Sequence, residues 1–103
     1  MPVVRNAARG ETVLDINGAP RRLCVTLGAL AELEAAFDVS SLSELGDRLS
    51  HLTPSDLIHV LAALTAGGGA PMSAGELASA QIDTRAAANA VAEAFQLAFS
   101  EDA

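Results

Sequence analysis

The stretch from Glu11 to Thr26 reads ETVLDINGAPRRLCVT and decides the first part of the fold. Thr12, Leu14 and Ile16 alternate with the residues between them. Side chains two positions apart lie on the same face of a β-strand, so these three residues share one face. This alternation predicts a strand that has one face packed against the core.

Asn17-Gly18 follows the strand and predicts a β-hairpin, because both residues tolerate a positive φ. Ala19-Pro20 comes next and indicates a loop longer than two residues. We therefore expect antiparallel strands over about 11–16 and 21–26. Two strands alone are marginally stable in water, so the hairpin must pack on other elements.

The rest of the chain predicts four to five short α-helices. Three of them start at a capping box, in which a hydroxyl residue and an acidic residue three positions later satisfy each other's backbone amides. These boxes are Ser41 to Glu44, Thr53 to Asp56, and Ser73 to Glu76. The expected helices cover about 27–37, 41–49, 54–66, 74–80 and 84–100. The sequence therefore predicts an α+β fold, with a flexible arm at 1–9, a single domain at 10–100 and an acidic tail at 101–103.

The last predicted helix carries two lines of apolar side chains. The first is its expected core stripe and comprises Ala88, Val91, Phe95 and Phe99. The second line comprises Ala90, Ala94 and Leu97, and it lies on a different face of the helix. One interpretation is a candidate partner-binding face, since alanines allow close approach of a second helix. The other is a helix covered on both sides by its own domain.

Composition excludes several classes of function. The net charge is −7, from 13 acidic residues and six arginines, so neither nucleic acid nor an anionic membrane is an expected partner. Cys24 is the single cysteine, as in a protein of a reducing compartment, and we expect a cytoplasmic protein. Only three residues are aromatic, which predicts modest stability and leaves room for a partner or a homo-oligomer.

No catalytic, cofactor-binding or metal site is predicted. His59 lies three residues after Asp56 and could bond to it, but no nucleophile stands in a suggestive context, and His51 lies between two helices. Cys24 is expected to be a small packed residue of the second strand. One cysteine and two distant histidines do not form a zinc site. Gly67 to Gly69 follow a helix and are read as a helix terminator, because a phosphate loop would follow a strand and precede a lysine.

The chain resembles the small tail proteins of gene transfer agents and related phages, which are described as tail tube or tail assembly chaperone components. The resemblance is carried by the hairpin, by the segment LGALAELE at 27–34, by SDLIHVLAA at 55–63, and by the glycine run followed by MSAGE at 72–76. It covers about 10–100.

This resemblance implies a non-enzymatic role in tail morphogenesis. Chaperones of this class bind the apolar, aggregation-prone tape-measure protein before tail tube subunits polymerise around it. The expected partners are therefore a phage-like tape-measure protein and a tail tube protein. The alternative is a structural component of the tail tube itself. The lack of a catalytic motif and the acidic surface are compatible with the chaperone.

Overall fold

The computed structural model describes residues 11–99, which form an antiparallel hairpin followed by five helices. The elements are β1 (Glu11–Ile16), β2 (Ala19–Cys24), α1 (Leu27–Phe37), α2 (Leu42–Leu49), α3 (Pro54–Gly67), α4 (Ala74–Ala78) and α5 (Thr84–Ala98). The predicted α+β class is confirmed. The predictions for 1–9 and 101–103 lie outside the described residues.

The hairpin turn is tighter than the sequence predicted. Asn17 and Gly18 both adopt positive φ, 56° and 78°, so the turn contains only these two residues and Ala19 pairs directly with Ile16. The expected longer loop is therefore wrong, and β2 starts two residues earlier than predicted. Pro20 lies opposite Asp15, one position beyond the pair that flanks the turn. At this position of an antiparallel pair the backbone groups form no hydrogen bond to the opposite strand, so the missing N–H of proline is tolerated.

One face of the hairpin packs against α5. Thr12, Leu14, Ile16 and Leu23 are buried on this face, as the alternation predicted. The Thr12 hydroxyl donates a 3.0 Å hydrogen bond to the Ala90 carbonyl, in the middle of α5. This buried polar contact joins β1 to α5 inside the core.

The core face of α5 differs from the predicted stripe. Ala88 is exposed and Phe99 is 51% exposed, so these two assignments are wrong. The buried residues of α5 are Ala87, Ala90, Val91, Ala94 and Phe95. This face consists largely of alanines because α5 approaches the hairpin closely, and a stripe of larger side chains would hold the helix farther away.

α3 packs against β2, and its C-terminal end lies close to the backbone of that strand. Its last turn forms a Schellman motif, in which the Ala70 amide donates to Thr65 and the Gly69 amide to Ala66. Gly69 has φ of 92°, which confirms the predicted terminator. Gly67 and Gly68 serve a different purpose that the sequence did not suggest. A Cβ on Gly67 would overlap the carbonyl oxygen of Cys24, and one on Gly68 that of Arg22, so only glycine permits this approach.

The predicted capping boxes are present at α3 and α4, where side chain and backbone bond reciprocally. At α2 the Ser41 hydroxyl accepts from the Glu44 amide as predicted. The Glu44 carboxylate, however, bonds to the amide and hydroxyl of Ser40 instead of the Ser41 amide. The carboxylate half of this capping box therefore involves Ser40, one residue before the predicted Ser41.

Two helices are shorter than predicted. α4 ends at Ala78 instead of 80, because Gln81 is held by the hairpin turn: the Asn17 amide donates to the Gln81 carbonyl, and the Gln81 amide to the Asn17 side chain. α5 ends at Ala98, with Phe99 as its C-cap, instead of 100. α3 extends one residue beyond the predicted 66.

Replacing Thr12 by valine is expected to destabilise the fold by about 1–2 kcal/mol, because the shape is retained while the buried bond to Ala90 is lost. Chemical denaturation of the variant measures this change. Thr84→Val at the exposed start of α5 is the control and should change the free energy of unfolding by less than about 0.5 kcal/mol. Equal stability of Thr12→Val and the wild type would show that the bond contributes nothing.

Candidate functional site

The predicted partner-binding face on α5 is mostly covered by the chain itself. Ala94 is fully buried and Ala90 is 8% exposed, and both belong to the hydrophobic core. Leu97 is half-buried near the end of the helix. The two alanines are therefore buried in the folded chain, and the candidate partner-binding face of Ala90, Ala94 and Leu97 stays a prediction. The alternative interpretation, a helix covered by its own domain, describes Ala90 and Ala94.

An accessible apolar surface lies between α2 and the C-terminal end of α5. It is a cavity of about 280 Å³, which we call the α2–α5 groove. Its lining residues are Leu42, Ser43, Leu45, Gly46, Leu49 and Phe99. Leu42 is 57% exposed and Phe99 51%, and they are two of the three large apolar side chains that the described residues expose. Such a concave apolar surface is suited to the apolar face of another helix.

The spacing of the α2 leucines produces one wall of this groove. Leu42, Leu45 and Leu49 follow the i, i+3, i+7 pattern of one helix face. Leu45 at the centre is fully buried, whereas Leu42 at the start of the helix remains exposed. Gly46 leaves room between them, since a Cβ at this position would meet nothing within 4 Å beyond its chain neighbours and the backbone of its own helix. The opposite wall is Phe99, whose ring stacks on that of Phe95 at 6.1 Å.

Arg48 fixes α2 to the rest of the protein. Its guanidinium donates two hydrogen bonds to the Asp56 carboxylate at the start of α3, one of them 3.0 Å long. The same group lies 4.9 Å from the centre of the Phe37 ring at the end of α1. A two-point contact with a carboxylate is more rigid than a single ion pair. Arg48 thus joins α1, α2 and α3, and thereby positions the groove.

The Asp56 carboxylate is held in its charged form. A hydrogen bond from the Thr53 amide lowers the pKa of Asp56, and the hydrogen bond from Arg48 lowers this pKa further. The carboxylate is buried by these partners, with Asp56 only 7% exposed. A carboxyl group whose pKa is lower in the folded than in the unfolded state stabilises the fold above the unfolded pKa. That stabilisation is lost as the pH falls through the folded pKa.

Replacing Asp56 by asparagine is expected to lower the melting temperature at pH 7 by roughly 5 °C or more, because the N-cap bond and the Arg48 contact are both weakened. The gap between variant and wild type should narrow as the pH falls below the unfolded-state pKa of about 3.9 and through the lower folded-state pKa of Asp56, because protonation removes the advantage of the carboxylate. Thermal melts between pH 3 and pH 7, roughly the range spanning the carboxyl pKa, measure both effects. Glu32→Gln, which removes an exposed carboxylate of α1, is the control. A gap that stays constant with pH would contradict this role of Asp56.

The other candidate residues do not form a catalytic centre in the described part of the chain. His59 is exposed, and the Asp56 oxygens are bonded to Arg48 and Thr53 instead of to His59. His51 is exposed, with Nδ1 2.9 Å from the Ser50 hydroxyl. Cys24 is buried in β2, where the sequence placed it. Within residues 11–99 no three His, Cys, Asp or Glu side chains are grouped to hold a metal ion.

Sequence reasoning did not identify the α2–α5 groove. The 3–4 spacing of leucines in α2 is visible in the sequence, but it is also the pattern of an ordinary core helix. The exposure of Leu42 and Phe99 depends on the orientation of α2, which the contact between Arg48 and Asp56 fixes. These two residues are eight positions apart in the sequence. That pairing had no signal in the sequence.

Within residues 11–99, no helix has both the length and the apolar character needed to cross a membrane. The longest helix, α5, has 15 residues, whereas a span requires about 20.

Comparison with known proteins identifies the family. Neither the curated proteins nor the solved structures include a significant match to this chain. A family model described as "Phage tail tube protein, GTA-gp10" matches residues 9–101, which is nearly the whole sequence. This agrees with the resemblance carried by the hairpin and the helix segments that follow it. The chain belongs to the phage tail tube protein, GTA-gp10 family.

Proposed function

We propose that this chain is a non-enzymatic tail assembly chaperone of a gene transfer agent or prophage. It binds the tape-measure protein in the cytoplasm before tail tube subunits polymerise around it. The observation that carries the proposal is the α2–α5 groove, in which Leu42 and Phe99 expose apolar surface on either side of a concave gap.

The chemistry of the groove suits an apolar helical ligand. The surface that lines the groove is almost entirely apolar, and Ser43 contributes its polar part. A ligand helix could place a large aliphatic side chain over Gly46, because this position has no side chain to occupy the space. Binding would remove Leu42 and Phe99 from water, and burial of large apolar side chains supplies most of the affinity in helix-in-groove complexes.

The charge of the chain supports the same role. A net charge of −7 on 103 residues keeps a complex with an apolar protein dispersed through mutual repulsion. A chaperone requires both properties together: a local apolar surface for its ligand and a charged exterior elsewhere.

The second candidate is a structural subunit of the tail tube, which the description of the family favours. A tube wall needs lateral contacts that repeat around a ring. Within residues 11–99 the sheet has two strands, so such a wall would have to be completed by contacts between copies.

Co-expression tests the proposal. The tape-measure protein of the same locus is produced with and without this chain, and its soluble fraction is measured. The chaperone role predicts that the tape-measure protein becomes soluble and co-purifies with the tagged chain. An insoluble tape-measure protein that never co-purifies would refute it.

A further inference from the structure

A large apolar side chain is exposed at the start of α1. Leu27 is 86% exposed, more than Leu42 or Phe99, and it does not line the α2–α5 groove. A single exposed leucine is common on protein surfaces and is not in itself evidence of an interface. Its significance here depends on a second surface, which lies at the other end of α3.

The second surface is an apolar pocket of about 180 Å³, formed by the first turns of α3, by α4 and by the start of α5, which we call the α3–α4 pocket. Leu61 and Leu77 are buried in it, whereas Leu57, Ile58 and Ile82 are half-buried around it. An apolar cavity of about 150 Å³ can hold a benzene molecule. The α3–α4 pocket therefore has room for the smaller side chain of a leucine.

Leu27 and the α3–α4 pocket lie at opposite ends of α3. α1 starts next to the last turn of α3, since a Cβ on Gly67 would lie 3.3 Å from the Thr26 side chain. The pocket instead includes Pro54, the first residue of α3. A helix of 14 residues is about 21 Å long, so Leu27 cannot reach the pocket of its own chain. It can enter the pocket of a second copy.

The charges around the two surfaces are complementary. The N-terminus of a helix carries a partial positive charge. α2, α3 and α4 have an acidic residue in their first turn and α5 has Asp83 as its N-cap, whereas α1 has an acidic residue at neither position. The exposed Asp83 stands between Ile82 and Thr84, which both line the pocket. Insertion of Leu27 would therefore bring the N-terminus of α1 close to a carboxylate of the second copy.

We propose that copies of this chain associate head to tail, with Leu27 of one copy inserted in the α3–α4 pocket of the next. Each contact leaves one Leu27 and one pocket available at the two ends of the pair, so further copies can add. A contact between two different surfaces of this kind produces chains or rings instead of a closed two-fold dimer. One buried leucine per contact makes the association weak, so it forms at high protein concentration. The contact lies outside the α2–α5 groove and is independent of the proposed chaperone function.

Replacing Leu27 tests the inserted side chain. The weight-average sedimentation coefficient of the wild type should rise with concentration and exceed that of a dimer. Leu27→Glu removes the apolar side chain and adds a carboxylate near Asp83 of the next copy, so the association constant should fall at least about tenfold. Leu42→Glu is the matched control, because it removes an exposed leucine from the α2–α5 groove and should associate like the wild type. The pair also separates this inference from the proposed function, which places the tape-measure protein in that groove.

Filling the pocket tests the other half of the contact. Ala80 is half-buried in the lining, and Ala80→Leu would occupy the space that Leu27 of the next copy enters. This variant should also remain monomeric. Ala78→Leu makes the same change at an exposed position of α4 outside the pocket, and it should associate like the wild type. Thermal melts of both variants confirm that they are folded.

Mixing the two disabled variants tests the head-to-tail geometry. Leu27→Glu retains its pocket and Ala80→Leu retains Leu27, so a single contact can form between them and neither end can extend it. The mixture should therefore contain a dimer with one copy of each, although each variant alone is monomeric. The proposal would be overturned by a wild type that stays monomeric up to its solubility limit or stops at a dimer. It would also be overturned if Leu27→Glu associated as well as Leu42→Glu, or if the mixture contained no such dimer.

Discussion

Replacing Gly68 by alanine is expected to lower the free energy of unfolding by about 3 kcal/mol, and Gly67→Ala should have a similar effect. In each variant a new methyl group would overlap a carbonyl oxygen of β2. These oxygens belong to the backbone, so the clash cannot be relieved by rotation of a side chain. Relief requires α3 to move away from the hairpin, which would open the core around Leu64 and Leu23.

Urea or thermal denaturation measures this loss, which corresponds to a fall of at least about 10 °C in melting temperature. Gly28→Ala is the matched control, because the change is identical and its new Cβ meets only the Thr26 hydroxyl at 3.7 Å. Alanine is the better helix former, so this control should be neutral or stabilising by up to about 1 kcal/mol. Equal stability of Gly68→Ala and Gly28→Ala would show that α3 does not need to approach β2 closely.

Replacing Leu42 by glutamate is expected to weaken binding of the tape-measure protein at least about tenfold without unfolding the chain. Leu42 is 57% exposed at the rim of the α2–α5 groove, so the folded state tolerates a charge there. The complex would not tolerate it, because a carboxylate would be buried against an apolar ligand without a partner. Phe99→Ser should act in the same direction by removing the opposite wall.

Co-purification of the tagged variant with the tape-measure protein measures this effect. Leu27→Glu is the matched control, since Leu27 is the other large exposed apolar residue and lies at the start of α1, away from the groove. It should bind like the wild type. If Leu42→Glu retains full binding, or if both variants lose it equally, the groove is not the binding surface.

The features that the sequence predicted well are those that neighbouring residues determine. The Asn17-Gly18 turn needs two residues of positive φ, and the caps at Ser41, Thr53 and Ser73 need a hydroxyl before a helical segment. The strand alternation likewise depends only on residues close together in the chain. For these features no knowledge of the tertiary structure was necessary.

Apart from the loop length at Ala19-Pro20 and the cap at Ser41, which are local, the errors arose where distant parts of the chain meet. The buried face of α5 is chosen by close approach to the hairpin, which favours Ala87 and Ala94 over the larger Phe99. α4 ends early because Gln81 bonds to Asn17, 64 residues away. The α2–α5 groove depends on the pairing of Arg48 with Asp56, which no local pattern indicates. The candidate site therefore could not be located from the sequence, even though the fold class could.

Quantitative mass spectrometry of purified particles tests the central claim, that this family member assists assembly instead of forming the tail. The chain is compared with the major tail tube protein, in the particles and in the lysate of the producing cells. The chaperone role predicts that the chain is abundant in the lysate and absent from particles in which the tube protein is plentiful. Several copies of the chain per particle, in a fixed ratio to the tube protein, would contradict the proposal and identify a structural subunit.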